Sequence, residues 1–169
     1  SQSVIQTIDE TILQLREAES GQRGYLLTQR AEYAENVSDR LADVNASIAR
    51  LDRLTADNPA QHRRAKTLKR ALDDRIAAMR EPLELANAGR FGDAREIVAG
   101  GKGRILMAIV ENQASTLLES ERDLLAQREA KAAQRLAWNK QLVMFGGPVI
   151  LGMIIFMVIM ITNGVRRPL

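Results

Sequence analysis

The chain has 169 residues, of which 46% are hydrophobic and only 4% aromatic, and its formal net charge is +3. Alanine and leucine dominate beside glutamate, arginine and glutamine, a composition typical of long helices. The chain contains no cysteine, which excludes a disulfide scaffold, a thiolate zinc site and a cysteine nucleophile. Its charges are mixed along the sequence, so no nucleic-acid-binding surface is indicated.

The first predicted helix runs from about residue 4 to residue 28. Its apolar residues recur at steps of three and four, as one face of a helix requires; they are Ile5, Ile8, Ile12 and Leu15. The next two steps fall on Glu19 and Gln22, before the apolar line returns at Leu26. A carboxylate at a buried position must be paired and hydrogen-bonded, or it costs several kcal/mol.

Two more helices follow the first. A polar link, QRAE, leads to a second helix with the same spacing; its apolar residues are Tyr33, Val37, Leu41, Val44, Ile48 and Leu51. The second helix ends at the sequence ADNP, where Asn58 is a good cap and Pro59 suits the first position of the third helix. The third helix ends near Gly89, and the glycine-rich residues 88–103 break the pattern around a short helix at about residues 93–98.

The last helix is predicted to begin near Arg104 and to meet no strong stop signal before an apolar run. Residues 142–162 carry no charged side chain, and ~20 apolar residues suffice for a helix to cross a bilayer. We therefore predict a transmembrane helix there. Aromatic and basic residues flank the run, as membrane-interface residues do; they are Trp138, Lys140, Arg166 and Arg167. The local charge count leaves the orientation open.

Long helices joined by short links predict an all-α fold, an antiparallel up-down four-helix bundle. We expect the bundle to comprise residues 1–140, with its last helix continuing into a single transmembrane helix at residues 141–163. Residues 164–169 would begin a cytoplasmic linker. Because the sequence begins with Ser1 rather than methionine, we expect that an upstream segment was removed or that the sequence is an excerpt.

No catalytic, cofactor-binding or metal-binding residue is predicted, and the chain is not expected to be an enzyme. His62 is the only histidine, which excludes a His-based triad and a multi-histidine metal site, and it is expected to be a surface residue. The stretch AGGKGR lacks the spacing of a phosphate-binding loop, and no strand precedes it.

Polar residues interrupt the apolar line of the last helix as well, at Glu121, with Arg122 beside it. Counting from the membrane end places Glu121 at the height of Glu19 in an antiparallel pair. This predicts a polar layer, which comprises Glu19, Gln22, Arg23, Glu121 and Arg122. The layer has two interpretations: a structural device that fixes helix register, or a ligand or switching site in which Arg23 recognises an anion.

The stretch ESGQRGYLLT resembles the signature of the CHASE type-three domain, an extracellular sensory module of bacterial transmembrane receptors. The motif residues after the polar positions are Gly21, Gly24, Tyr25, Leu26, Leu27 and Thr28. The resemblance extends to SQSVIQTIDE, to Glu32–Tyr33, to ADNP and to ESERDLLAQRE. It implies a four-helix bundle outside the membrane between two transmembrane helices, and the final VRRPL resembles the start of a HAMP linker.

The predicted function is that of a sensory module of the bacterial cytoplasmic membrane, with a periplasmic bundle and a cytoplasmic C-terminus. The last helix would pass an extracytoplasmic stimulus to an output domain. The alternative is an accessory subunit of a larger integral membrane complex. The lipid bilayer is an expected partner. The resemblance implies a second copy of the chain as another, with the helices of a membrane complex as the alternative, and it names no ligand.

Overall fold

The computed structural model describes the backbone of residues 2–165 and the side chains of residues 2–134 and 152–161. Within this part of the chain, all of the regular structure is helical, which confirms the predicted class. The elements are α1 (Gln2–Thr28), α2 (Ala31–Thr55), α3 (Pro59–Asn87), the short α4 (Phe91–Ala99) and α5 (Lys102–Val165).

The ends of the helices agree with the local sequence signals. The Asn58 side chain accepts hydrogen bonds from the backbone N–H groups of Ala60 (3.1 Å) and Gln61 (3.4 Å), and Pro59 begins α3. This confirms the predicted cap. Between α1 and α2, Gln29 has a φ of 62° and donates its N–H to the Tyr25 carbonyl. The link is thus only two residues long, which makes α1 and α2 neighbours.

One hydrophobic core joins α1, α2, α3 and the first part of α5. Each helix contributes side chains at three- and four-residue steps, as the sequence predicts. The fully buried ones include Ile8 and Leu15 of α1, Val37 and Val44 of α2, Leu68, Leu72 and Met79 of α3, and Val110 and Leu117 of α5. The short α4 instead covers a smaller cluster around Tyr25 and Ala86 at the far end of α1 and α3.

Ion pairs between helices define their directions. Arg40 contacts Glu17 at 3.0 Å and Arg50 contacts Glu10 at 3.6 Å, so α2 runs antiparallel to α1. Glu19 and Gln22 of α1 contact Arg75 and Met79 of α3, so α3 runs parallel to α1. The start of α5 lies beside Arg75, in the second half of α3. This is the order of an up-down-up-down bundle.

The chain divides into two compact units, Ser1–Leu125 and Ala126–Leu169. The first unit contains the core and the bundle. In the second, α5 continues to Val165, and the side chains that the structure describes between residues 152 and 161 are all exposed.

The predicted membrane span falls mostly where the structure gives no side chains. Residues 142–151 and residue 162 lie outside the described side chains, as do the predicted interface residues Trp138 and Lys140. Arg166, Arg167 and the rest of the predicted linker lie outside the described residues altogether. Among the helices as described, none is both long and apolar enough to span a membrane.

Candidate functional site

The polar positions of α1 meet α3. Gln22 is buried, and its side-chain Nε2 donates a hydrogen bond of 2.9 Å to the carbonyl oxygen of Met79. Pro82 lies three residues later and has no N–H for the carbonyl of Ala78, the residue before Met79, so the helical hydrogen bonding of α3 is loosened at this point. The amide that interrupts the apolar line of α1 is therefore satisfied by the backbone of the neighbouring helix.

Glu19 connects two arginines. Its Oε1 lies 2.5 Å from Nη2 of Arg23, one helical turn later, and 3.6 Å from Nη2 of Arg75 on α3. The Arg23 side chain is 62% exposed, whereas that of Arg75 is only 4% exposed. Glu19 thus bridges a solvated and a buried guanidinium, and its contact with Arg75 fixes the parallel register of α1 and α3.

Arg75 is the central residue of this site, and the sequence prediction missed it. Burial lowers the pKa of the Arg75 guanidinium from its ordinary value, and the neighbouring Glu19 carboxylate opposes this decrease. An arginine keeps its proton even when buried, so the site holds a fixed positive charge. Arg75 lies three residues after Leu72 and four before Met79, on the apolar line of α3. The apolar line itself continues from Leu72 through Ile76 to Met79, so no interruption in the sequence marks Arg75 as buried.

The start of α5 closes against the Arg75 guanidinium. A methyl group built on Gly103 would lie 3.3 Å from Nη2 and 3.4 Å from Cζ of Arg75, closer than most such contacts. The absence of a side chain at Gly103 therefore lets the first turn of α5 approach the flat face of the guanidinium. Just before it, Gly101 has a φ of +79°, a conformation that favours glycine.

These residues line a partly open cleft with a volume of about 80 Å³. Its walls are α1, the middle of α3, the end of α4 and the first turn of α5. Four basic side chains face two carboxylates there; the lining residues with charge are Arg23, Arg75, Lys102, Arg104, Glu19 and Glu81. The cleft therefore carries excess positive charge, part of it buried. Within the described residues, no group of His, Asp or Glu side chains is arranged to hold a metal ion.

The structure does not bring Glu121 to Glu19. Arg16 of α1 pairs with Glu111 of α5 at 2.7 Å, and the helices run in opposite directions. Glu121 is ten residues beyond Glu111, and Glu19 is three residues beyond Arg16 toward the other end of the bundle. At ~1.5 Å per residue, these 13 residues separate Glu121 from Glu19 by about 20 Å along the bundle. The predicted height of Glu121 assumes that the bundle extends to residue 142, whereas the unit that holds the core ends at Leu125. This displaced the predicted layer.

Glu121 occupies a different buried position. Its side chain is fully buried, and neither carboxylate oxygen has a hydrogen-bond partner among the described residues. Gln61, near the start of α3, likewise has a buried Nε2 without an acceptor there. Arg122 is exposed. The predicted five-residue layer is thus divided into a polar cleft with Glu19, Gln22 and Arg23 and a separate buried carboxylate.

The glycines of the motif serve helix packing. A methyl group on Gly21 would lie 2.9 Å from Cγ2 of the buried Val37, and one on Gly24 would lie 2.9 Å from the ring of Tyr33. Both glycines therefore allow α1 and α2 to approach closely.

The remaining motif residues form the far end of the bundle. The hydroxyl of Tyr25 donates to Oδ1 of Asn87 at 2.9 Å, and its ring meets the Phe91 ring edge-on. Leu26 is buried, whereas Leu27 is 72% exposed. Thr28 donates its hydroxyl hydrogen bond back to the Gly24 carbonyl. Most of the motif thus builds the frame around the cleft.

His62 lies in the first turn of α3, next to the end of α2, and is only partly exposed. Its side chain is 27% exposed, and its Nδ1 lies 3.6 Å from Oδ1 of Asp52 and 3.4 Å from the Thr55 hydroxyl. It therefore belongs to the contacts of this turn and not to the cleft.

Comparison with known proteins agrees with this architecture. The fold is similar to the crystal structure of the sensor domain of the histidine kinase HK9 from Rhodopseudomonas palustris, with a TM-score of 0.70 and 26% sequence identity. The similarity covers 75% of this chain and 99% of that one. No curated protein sequence matches this chain. The bundle and its cleft thus place the chain in the class of helical sensor-type domains. Residues 1–131 match the CHASE3 domain, and the chain belongs to this family.

Proposed function

We propose that this chain is the sensory part of a membrane-anchored receptor. Its bundle would detect a stimulus outside the cytoplasm, and α5 would pass the response to a cytoplasmic output domain. The observation that carries the proposal is the CHASE3 match over residues 1–131, which covers the whole bundle. The structural similarity to the sensor domain of a histidine kinase supports the same role.

The arrangement of the cleft supports a role for α5 in transmission. The first turn of α5 lies next to the Arg75 guanidinium, and the same helix continues to Val165. A change at the cleft would therefore act directly on the start of this helix. A stimulus would act by favouring one of two arrangements of the helices.

Membrane anchoring is the second part of the proposal. It is supported by the uncharged residues 142–162 and by the interface residues that flank them, Trp138 and Lys140 before and Arg166 and Arg167 after. The bilayer would be one partner and a second copy of the chain another. The protein should remain in the membrane fraction after alkaline extraction, whereas a variant with several charged residues within the run should be released.

The transmission step is tested in the full-length receptor. A short Gly-Ser insertion after Asn139 should abolish the response to stimulus, because it interrupts the helix between the bundle and the proposed span. The same insertion after Asp57, in the exposed turn between α2 and α3, is the matched control and should leave the response intact. An unchanged response after insertion at Asn139 would refute transmission through α5. A reading frame that ends soon after Leu169 would favour the accessory-subunit alternative.

A further inference from the structure

We propose that the cleft formed by α1, α3 and the first turn of α5 binds a short-chain organic carboxylate, held by the guanidinium of Arg75. Four features of the cleft support this: an unsatisfied buried donor, an excess of positive charge, the start of a helix, and a small, partly apolar volume.

The unsatisfied donor is Nε of the Arg75 guanidinium. Its side chain is 96% buried, and its Nε has no hydrogen-bond acceptor among the described residues. The nearest carboxylate oxygen, Oε1 of Glu19, lies 3.6 Å from Nη2 and is shared with Arg23 at 2.5 Å. Glu19 therefore neutralises Arg23 more closely than Arg75. A buried donor without a partner costs free energy, and a planar carboxylate is the acceptor that matches the guanidinium fork.

The charge of the cleft favours an anion. Lys102 and Arg104 border the same cleft from the first turn of α5. This turn has no acidic residue, and the glycine before it, Gly101, has no side chain to cap the helix. The N–H groups of Arg104 and Ile105 bond to the Gly101 carbonyl, whereas those of Lys102 and Gly103 are the first two of the helix, which have no intrahelical acceptor. The helix dipole adds partial positive charge there. Together with the buried Arg75, they form a site for negative charge.

The size and the lining of the cleft indicate an organic ligand. The volume of about 80 Å³ is enough for a molecule of a few non-hydrogen atoms. Part of the wall is apolar, and it is formed by Ala78, Pro82, Ile97 and Val98. A short hydrocarbon chain would be buried against these side chains, whereas an inorganic oxyanion would leave them without a favourable contact. We therefore assign the site to a small carboxylate, with propionate as the test compound.

Binding is measured by calorimetry on the full 169-residue chain in detergent micelles. Sodium propionate should bind saturably, and sodium phosphate at matched ionic strength should bind at least tenfold more weakly. Sodium chloride at the same ionic strength is the control for nonspecific screening. Circular dichroism verifies that each variant retains the helical fold.

Two variants test the contact to Arg75. Arg75→Lys keeps the charge but removes the planar fork, and it should weaken propionate binding by tenfold or more. Gly103→Ala places a methyl group against the guanidinium and should also weaken binding severalfold. The matched controls are Arg80→Lys, an exposed arginine of the same helix, and Gly92→Ala, where the added methyl group meets open space. Both controls should bind as the unaltered chain does.

A third variant covers the case in which Arg75→Lys does not fold. Lys102→Gln removes an exposed charge at the cleft and should weaken binding two- to fivefold without affecting the fold. Absence of saturable propionate binding in the millimolar range would overturn the proposal. So would binding that Arg75→Lys, Gly103→Ala and Lys102→Gln all leave unchanged. Phosphate binding that equals or exceeds propionate binding would overturn the assignment to an organic carboxylate.

The role of this ligand as a stimulus rests on the proposed sensory function, but its binding does not. The two can be separated with the Gly-Ser insertion after Asn139, which lies outside the bundle unit. This variant should bind propionate with unchanged affinity while it loses the response. If the insertion leaves the response intact but propionate still binds, the site stands and the transmission proposal fails. If propionate does not bind but the insertion abolishes the response, the transmission proposal stands and the proposed site fails.

Discussion

Glu121 provides the strongest test of how the bundle is stabilised. Its carboxylate is fully buried in the bundle, and neither oxygen has a partner among the described residues. Removing a polar group from water without a compensating hydrogen bond costs about 1–3 kcal/mol in proteins, and more when the group is charged. Glu121→Leu removes this cost and keeps a side chain of similar size. We expect it to raise the free energy of unfolding by about 1–3 kcal/mol.

Urea denaturation followed by far-UV circular dichroism measures this change. For a unit of this size, an increase of about 1–3 kcal/mol corresponds to a rise in melting temperature of roughly 3–12 °C. Glu119→Leu, on the exposed side of the same helix, is the matched control and should change stability by less than about 0.5 kcal/mol. A Glu121→Leu variant that is less stable than the unaltered chain, beside a neutral Glu119→Leu, would show that the carboxylate is satisfied and that this reasoning fails.

Three further predictions concern the frame and the orientation. Gly21→Ala should lower the free energy of unfolding by about 1–3 kcal/mol, because its methyl group would lie 2.9 Å from a buried valine side chain. The control, Gly92→Ala, places its methyl group in open space and should change the free energy of unfolding by less than about 1 kcal/mol. Thermal denaturation measures both. Asn58→Ala should lower the free energy of unfolding by about 1 kcal/mol, through loss of the cap of α3; no loss would mean that the cap is dispensable. Because the chain has no cysteine, Ala49→Cys adds a single exposed thiol, which a membrane-impermeant maleimide should label in intact cells, whereas the buried Ala114→Cys should stay unlabelled.

The helices and their core could be predicted because both depend on local chemistry. The step of three and four residues identifies most of the buried face of each helix, and Ile8 and Leu15 of α1 belong to the observed core, whereas Ile5 is only partly buried. The cap at Asn58 and Pro59 was equally readable, because a side-chain acceptor followed by a proline suits the start of a helix. Even the polar interruption at Gln22 was informative, since that residue is buried as its position on the line requires.

The partners of the polar residues could not be predicted, because they depend on the register between helices. A displacement by a few turns leaves each apolar line intact but changes which charges meet. Glu19 was therefore assigned to Glu121, whereas the structure places it beside Arg75. The cleft also depends on Gly103, where the lack of a side chain lets α5 approach Arg75. The sequence indicates only a break in the helical pattern there.

Arg75 connects the two helices between which a signal would have to pass. Its Nη2 contacts Glu19 of α1, and its guanidinium lies against Gly103 at the start of α5. A ligand can shift an equilibrium only through a difference in its affinity for the two states. An anion held by Arg75 and by the first turn of α5 would meet this condition. A movement of α5 along its axis would change the contacts of the anion with α5, whereas its contact with Arg75 would stay in place. The same geometry that stabilises the corner of the bundle therefore makes it the point where binding would have the greatest effect on α5.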